Sequence, residues 1–390
     1  MEKFDFETVP DRTKTDSVKW NIKKDQLPMW IADMDFKTAP AIIDAMKEKI
    51  ELGAFGYEWP GDDYFDSVSY WLKSQHNVQA DKKWMIFTTG VVPAISSIVR
   101  HVSNIGDNVL VQEPVYNIFY NSIENNGRHV LSNDLEFDGS NYHINWDDLE
   151  EKLANPLTTL MIFCNPHNPI GKVWSKQEVE KIANLCHEYN VVLLSDEIHG
   201  DLVRQGFDYT PSFSVTDDEN KKIISLISPS KTFNVAALHA ATAIIPNETL
   251  RNIVNRDLNS DEVAEPNLLA IPATIAAYKQ GESWLAALKQ QLRENFEYVA
   301  DFIKQNISDI KVVSGNATYL MWLDVEAFCD NSDQLQKFLV DKTGLILSSG
   351  SVYRGNGNQF LRMNLACPLD LVKDGMKRLQ KGIKLYRKTI

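Results

Sequence analysis

Cysteine is scarce in this chain. Cys164, Cys186, Cys329 and Cys367 are the only four in 390 residues, and none forms a C-x-x-C pair. That spacing suits no zinc site and fits reduced thiols in a cytoplasmic protein. Long apolar runs are missing as well. No stretch approaches the ~18 residues of a membrane span, and the opening MEKFDFETVPDRTKTD has no apolar signal core. Basic charge is in deficit: 40 Lys and Arg against 53 Asp and Glu leave a net charge of −13, with no local basic run to offset it. Such a chain repels nucleic acid and anionic membrane surfaces. There is no internal repeat and no low-complexity segment. The exclusions leave a soluble, cytoplasmic protein with no metal, nucleic-acid or membrane partner expected.

What is present is ordinary in bulk and specific in detail. The length is generous for one core and comfortable for two domains. The middle of the chain alternates short β-rich runs with helical patterns. Strands are predicted at 85–89, 108–112, 128–131, 159–164, 191–195, 223–227 and 240–245, with helices at 92–103 and 176–189. Runs such as LMIFC and VVLL are nearly continuous in apolar residues, which marks strands buried on both faces of a parallel sheet. This is α/β doubly wound logic. Beyond about residue 280 the texture changes. A long helix is predicted at 282–305, then strands at 318–323 and 360–365 with a helix near 332–342. The expected division is a large domain at 46–281 and a smaller α+β domain made of 1–45 with 282–390.

Ligands of open α/β sheets bind beyond the carboxyl ends of the strands. Five successive strand ends carry suggestive residues. Gly90-Val91-Val92-Pro93 opens a helix whose N-terminus suits a phosphate. Tyr116 could stack on an aromatic ligand. Asn165-Pro166-His167-Asn168-Pro169-Ile170-Gly171 is a stiff loop whose Asn168 amide could donate to a ligand oxygen. Ser195-Asp196-Glu197-Ile198-His199 puts two carboxylates and a histidine at the end of a very apolar strand, which is costly unless they are used. Ser228-Pro229-Ser230-Lys231 sets hydroxyls beside a lysine able to form an imine or to pair with a phosphate. Each has an ordinary reading: a βα turn, a packed tyrosine, Asx turns, an N-cap or metal ligand, a solvated lysine. Together they supply every contact that pyridoxal 5'-phosphate needs.

At this point the residues resemble the fold-type I pyridoxal-phosphate enzymes of the aminotransferase superfamily, class I/II. The resemblance covers essentially the whole chain and narrows to the cystathionine β-lyases, or C–S lyases, of the MalY/PatB type. Leu27-Pro28-Met29-Trp30-Ile31-Ala32-Asp33-Met34-Asp35-Phe36 looks like that group's N-terminal signature, preceded by Arg12 and Ser17-Val18-Lys19-Trp20. His199 stands where aminotransferase relatives usually have tyrosine. The resemblance implies a seven-stranded, mostly parallel sheet between helices plus the smaller α+β domain. It implies that Lys231 carries the cofactor and moves protons, that Asp196 pairs with the ring nitrogen, and that Asn168, with His199 nearby, donates to the ring oxygen. Tyr116 would stack on the ring, and the Val91 and Val92 backbone with Ser228 and Ser230 would hold the phosphate. Tyr57 would reach the site of a neighbouring subunit in a homodimer, while Arg362 would clamp the substrate carboxylate with Ala32 and Tyr57 alongside. The implied reaction is β-elimination from cystathionine or a related cysteine S-conjugate; transamination is the alternative. A regulatory protein that keeps the fold is a third reading, disfavoured by the complete cofactor set. The chain departs from the group at Asn117-Ile118-Phe119, where prolines are common, at Ala237, where glycine is usual, and along 353–358. The first and last of these bear on substrate preference.

Overall fold

Alternation along the strands decides which core each side chain enters. Leu160, Ile162, Cys164, Leu194, Ile224 and Leu226 pack in one buried cluster. The intervening Met161, Phe163 and Leu193 pack in another, with Trp174 and Ile182. Side chains of a strand point alternately to opposite faces, so a run that is apolar at every position fills two cores at once. Each fully buried Leu, Ile or Phe contributes about 1.5–3 kcal/mol, and Leu194→Ala would forfeit about 2–5 kcal/mol.

The computed structural model describes residues 4–313 and 315–389. Residues 1–3, 314 and 390, which fall within the expected ranges 1–45 and 282–390, lie outside the described residues. The large sheet has seven strands: β1 (Met85–Thr88), β2 (Asn108–Val111), β3 (His129–Ser132), β4 (Thr158–Cys164), β5 (Val192–Asp196), β6 (Ile223–Ile227) and β7 (Ala241–Ile244). Their spatial order is β1-β7-β6-β5-β4-β2-β3. Only β7 runs antiparallel to its neighbours β1 and β6; the remaining pairs are parallel. All seven expected strands are present, with ends displaced by one residue at most.

Helices cover both faces. Lys176–Glu188 begins at a capping box, in which Ser175 Oγ accepts from Glu178 N at 3.2 Å and Glu178 Oε2 accepts from Ser175 N at 2.7 Å. Glu282–Asn306 shows a buried stripe of Leu285, Leu288, Leu292, Phe296, Val299 and Ile303, the three-and-four spacing of one helical face. A second, antiparallel sheet follows in the order β8-β9-β11-β10, from β8 (Lys311–Val312), β9 (Leu320–Asp324), β10 (Ser348–Ser349) and β11 (Phe360–Asn364). The helices Pro40–Glu51, Asp62–His76, Ala270–Gln280 and Leu369–Tyr386 add to those expected from sequence. The early segment Leu27–Pro28 pairs in parallel with Leu345–Ile346, far along the chain. Among the described residues, no helix is long and apolar enough to cross a membrane.

Candidate active site

Asp196 closes β5 and Glu197 follows it, and both are buried. Strand alternation sends them opposite ways. Glu197 accepts hydrogen bonds from Ser212 N at 2.8 Å, from Ser225 Oγ at 2.9 Å and from the Tyr209 hydroxyl. It is a saturated structural carboxylate, so the two acids read together from sequence do different jobs. Among the described residues, Asp196 has one hydrogen-bond partner, Ile198 N at 3.1 Å, and no cation within ion-pairing distance. Burial pushes its carboxyl up to about 7, with Glu197 adding to the rise and Lys231 opposing it. His199 is also buried, its Nδ1 has no partner, and burial with the Lys231 and Arg362 charges lowers it to about 3. The imidazole is therefore neutral at ordinary pH.

Lys231 sits in the short helix Pro229–Thr232 beyond β6. Its Nζ donates to the Ala32 carbonyl at 2.6 Å, and the Tyr319 hydroxyl donates to the same oxygen at 3.0 Å. Burial, then the Arg362 charge, lowers the ammonium to about 8. Ser228 caps this turn: its Oγ accepts from Ser230 N at 3.1 Å and lies 2.6 Å from the Ala240 carbonyl. Ser228 Oγ also lies 2.7 Å from Ser230 Oγ, so the two hydroxyls are joined to each other and to the Ala240 carbonyl at this turn. Across the sheet, Gly90 takes φ +136° and starts the helix Val91–Val102. The first N–H groups of a helix have no intrahelical acceptor, so Val91 and Val92 present theirs at this end.

Arg362 arrives from β11 and joins the two sheets. Its Nη1 donates to Asn168 Oδ1 at 3.0 Å and its Nη2 to the Trp30 carbonyl at 3.0 Å, while Nε is buried without a partner. A guanidinium only donates, so Asn168 Oδ1 is pinned toward Arg362 and the Nδ2 amide is left to donate elsewhere. The guanidinium also lies 5.0 Å over the Tyr353 ring. Tyr116 is mostly enclosed, which raises its phenol to about 12, and it feels the charges of both Arg362 and Asp196.

The segment around Ala32 is threaded between these groups. Asn234, three residues after Lys231, donates to the Met34 and Phe36 carbonyls at 3.1 and 2.9 Å and accepts from Met34 N at 2.9 Å. Asn364, two after Arg362, donates to the Ile31 and Asp33 carbonyls, both at 2.6 Å. Below lies a buried ion cluster. Lys19, 1% exposed, pairs with Asp35 at 2.8 Å and Asp33 at 3.3 Å. Arg12 pairs with Asp33 at 2.8 Å and Asp35 at 2.5 Å, and Trp20 Nε1 donates to Asp35 at 2.7 Å. Sequence reasoning singled out this signature as a resemblance but assigned no role to Asn234, Asn364, Tyr319 or the ion cluster. Only the position of the two asparagines beside Lys231 and Arg362 hinted at them.

Within one chain the structure thus gathers Lys231, Ala32, Asp196, His199, Asn168, Tyr116 and Arg362 into one group linked by contacts and mutual electrostatic influence. Tyr57 stands apart and is 100% exposed. Ala237 lies in a turn whose φ is not positive, so glycine is not required there. Pyridoxal phosphate fits the residues present. Among the described residues, Asp196 is a buried carboxylate with no ion-pair partner, Asn168 Nδ2 and His199 Nδ1 have no hydrogen-bond partner, and the Lys231 ammonium is lowered to about 8.

Over residues 24–379 the sequence matches the family described as aminotransferase class I and II. It is 38% identical to cystathionine beta-lyase PatB of Bacillus subtilis (strain 168), covering 97% of this chain and 99% of that protein. It is 34% identical to protein MalY of Escherichia coli (strain K12), covering 98% and 100%. Among solved structures, cystalysin from Treponema denticola, which contains a pyridoxal 5'-phosphate cofactor, superposes with a TM-score of 0.95 at 30% identity, over 98% of this chain and 99% of that one.

Proposed function

The chain belongs to the class I and II aminotransferase family, and on that premise we propose that it is a pyridoxal-phosphate-dependent C–S β-lyase. Its substrates are cystathionine or related cysteine S-conjugates; its products are a thiol, pyruvate and ammonia. The observation that carries this reading is Lys231, buried, lowered to about 8 and facing the uncompensated Asp196 across one cleft. The name of the PatB relative supports the choice of reaction.

Pyridoxal phosphate bound at Lys231 would supply an electron sink for the pair left when Cα loses its proton. Asp196 would keep a proton on the ring nitrogen, and Asn168 Nδ2 would donate to the ring oxygen. Val91 N–H, Val92 N–H and Ser230 Oγ would receive the phosphate, with Ser228 fixing the turn. Tyr116 would pack against the ring, with neutral His199 nearby. Arg362 binds the substrate carboxylate bidentately, a task its planar fork suits. Lys231, once free, would take the Cα proton; an amine lowered to about 8 is well matched to that role. The Cβ–S pair would leave with sulfur as thiolate, which takes up a proton, and water would hydrolyse the enamine product to pyruvate and ammonia.

Two further parts belong to this proposal. The working unit is a homodimer with active sites at the subunit interface. The exposed Leu52, Phe55, Tyr57 and Trp59 form an uncovered apolar stretch of the kind that meets a partner, and Tyr57 would cross into the neighbouring site. We take 46–281 as the cofactor domain and 1–45 with 282–390 as the small domain. The protein works in the cytoplasm, in keeping with four buried cysteines that form no disulfide.

The test is to incubate the cofactor-loaded protein with cystathionine and follow thiol and pyruvate. No product at millimolar substrate would sink the lyase reading. Conversion of the cofactor to its amine form by a simple amino acid, reversed by a keto acid, would replace it with transamination.

A further inference from the structure

Away from the cofactor site, a second cleft of about 1150 Å³ opens between the 200–209 loop that follows β5, the end of the helix Asp62–His76, the helix Glu282–Asn306 and the 316–321 segment. Three of its lining residues are cations without a carboxylate partner. The Arg204 guanidinium lies 3.8 Å over the Phe296 ring, and its Nε is buried with no hydrogen bond. Among the described residues, Lys289 makes no ion pair or hydrogen bond, and burial lowers its ammonium. Arg293 reaches only Gln205, at 3.0 Å, and Gln290. Among the described residues the acids of the cleft form no ion pair with them, and Asp201 acts on Lys289 only as a more distant charge. Asp201 is fully engaged by Trp71, His76 and Thr232 at 2.9, 2.8 and 2.7 Å. Asp208 and Glu297 lie exposed and are within ion-pairing distance of none of the three.

Partly buried, unpaired cations are unfavourable in a chain that had acids to spare, with a net charge of −13. The apolar walls, including Phe296 and Tyr209, add a surface for a hydrophobic body. We propose that this cleft is a second ligand site, taking a small organic anion with a phosphate or carboxylate head and an apolar body. Arg204 and Lys289 hold the head, Arg293 completes it at the rim, and Phe296 backs the guanidinium. The ligand would touch elements that lead into the catalytic cleft. Asp201 accepts from Thr232, next to Lys231, and Thr318 N donates to the Leu202 carbonyl, next to Tyr319. This site does not depend on the lyase assignment.

The experiment is calorimetric titration of the cofactor-loaded protein in a non-phosphate buffer with three probes: ADP, citrate and inorganic phosphate. With the cofactor in place its own phosphate cradle is filled, and any anion held by Arg362 is untouched by changes in the second cleft. At least one probe should bind saturably at one site per chain, at least tenfold more weakly in Arg204→Gln and Lys289→Gln. ADP alone would identify a phosphate ester, citrate alone a carboxylate. Absence of saturable binding by all three probes, or equal affinity in both variants and wild type, overturns the proposal. Lys289→Met guards against a folding artefact. Its unliganded Tm should equal or exceed that of wild type while the probe's stabilising shift disappears. A lower Tm with the shift retained would mark Lys289 as structural and overturn the proposal too.

Discussion

Two buried charge clusters lie within one segment's length of each other, and they are built on opposite rules. Around Asp33 and Asp35 every charge is answered: Lys19, Arg12 and Trp20 converge on the two carboxylates. Around Asp196 the partners run short, although that carboxylate is also buried. The first cluster has the form of a fastening, in which charge balance is complete inside the chain. The second has the form of a receptor, in which the missing cation and donors must come from a ligand. Adjacent residues show the same contrast, since Glu197 is saturated and Asp196 is not. Burial alone therefore does not mark a catalytic acid; burial with unmet hydrogen-bonding capacity does.

The largest effect should come from the receptor side. Lys231→Ala should abolish the cofactor's visible imine absorbance and lower thiol release by roughly 10³-fold or more, with little change in thermal stability of the cofactor-free protein. Retained absorbance would remove Lys231 from its role. On the fastening side, Asp35→Asn leaves Lys19 and Arg12 facing one remaining carboxylate. It should cost about 3–5 kcal/mol of stability, measured by denaturant titration, because a buried charge loses its partner. A loss below about 1 kcal/mol would show that the cluster is not a fastening. Asp196→Asn should behave in the opposite way: activity falls by about 10²–10³ while the cofactor-free protein keeps or gains stability. Glu197→Gln keeps one oxygen for Ser212 N and Ser225 Oγ but turns an amide donor toward the Tyr209 hydroxyl, and should cost about 1–3 kcal/mol with activity changed chiefly through folding.

The smallest effects are in pH. The neutral Lys231 amine dominates above about pH 8, so capture of pyridoxal phosphate by the cofactor-free protein should accelerate through that pH and level off beyond it. Stopped-flow absorbance would show this, and a midpoint near 10.5 would contradict the burial effect. The sign for stability follows from proton counts. Between about 8 and 10.5 the unfolded lysine holds a proton that the folded one lacks, so its contribution rises with pH. Asp196 is raised from 3.8 to about 7, so the folded form holds the extra proton and its contribution is lost as pH climbs through 7. Across that range, cofactor-free wild type should lose Tm relative to Asp196→Asn.

Much of the frame was legible because it rests on local pattern. Seven apolar runs gave seven strands, since a strand buried on both faces needs apolar residues at every position. The strand ends pointed to Lys231, Asp196, Asn168 and Tyr116, because ligands of such sheets gather there. Asp196 and Glu197 could not be told apart by type or position alone. The segment 27–36 was recognisable only by likeness, because its partners Asn234, Ser348, Arg362 and Asn364 lie hundreds of residues away.

By itself, then, the sequence determined the sheet, its two cores and the residue types waiting at its ends, since side-chain alternation and turn chemistry act over a few residues. Tertiary packing alone decided which charges would be completed and which left open. That choice depends on Arg362 reaching Asn168 and on Ala32 meeting Lys231. These contacts exist only once the segment 27–36 is pinned between the two sheets.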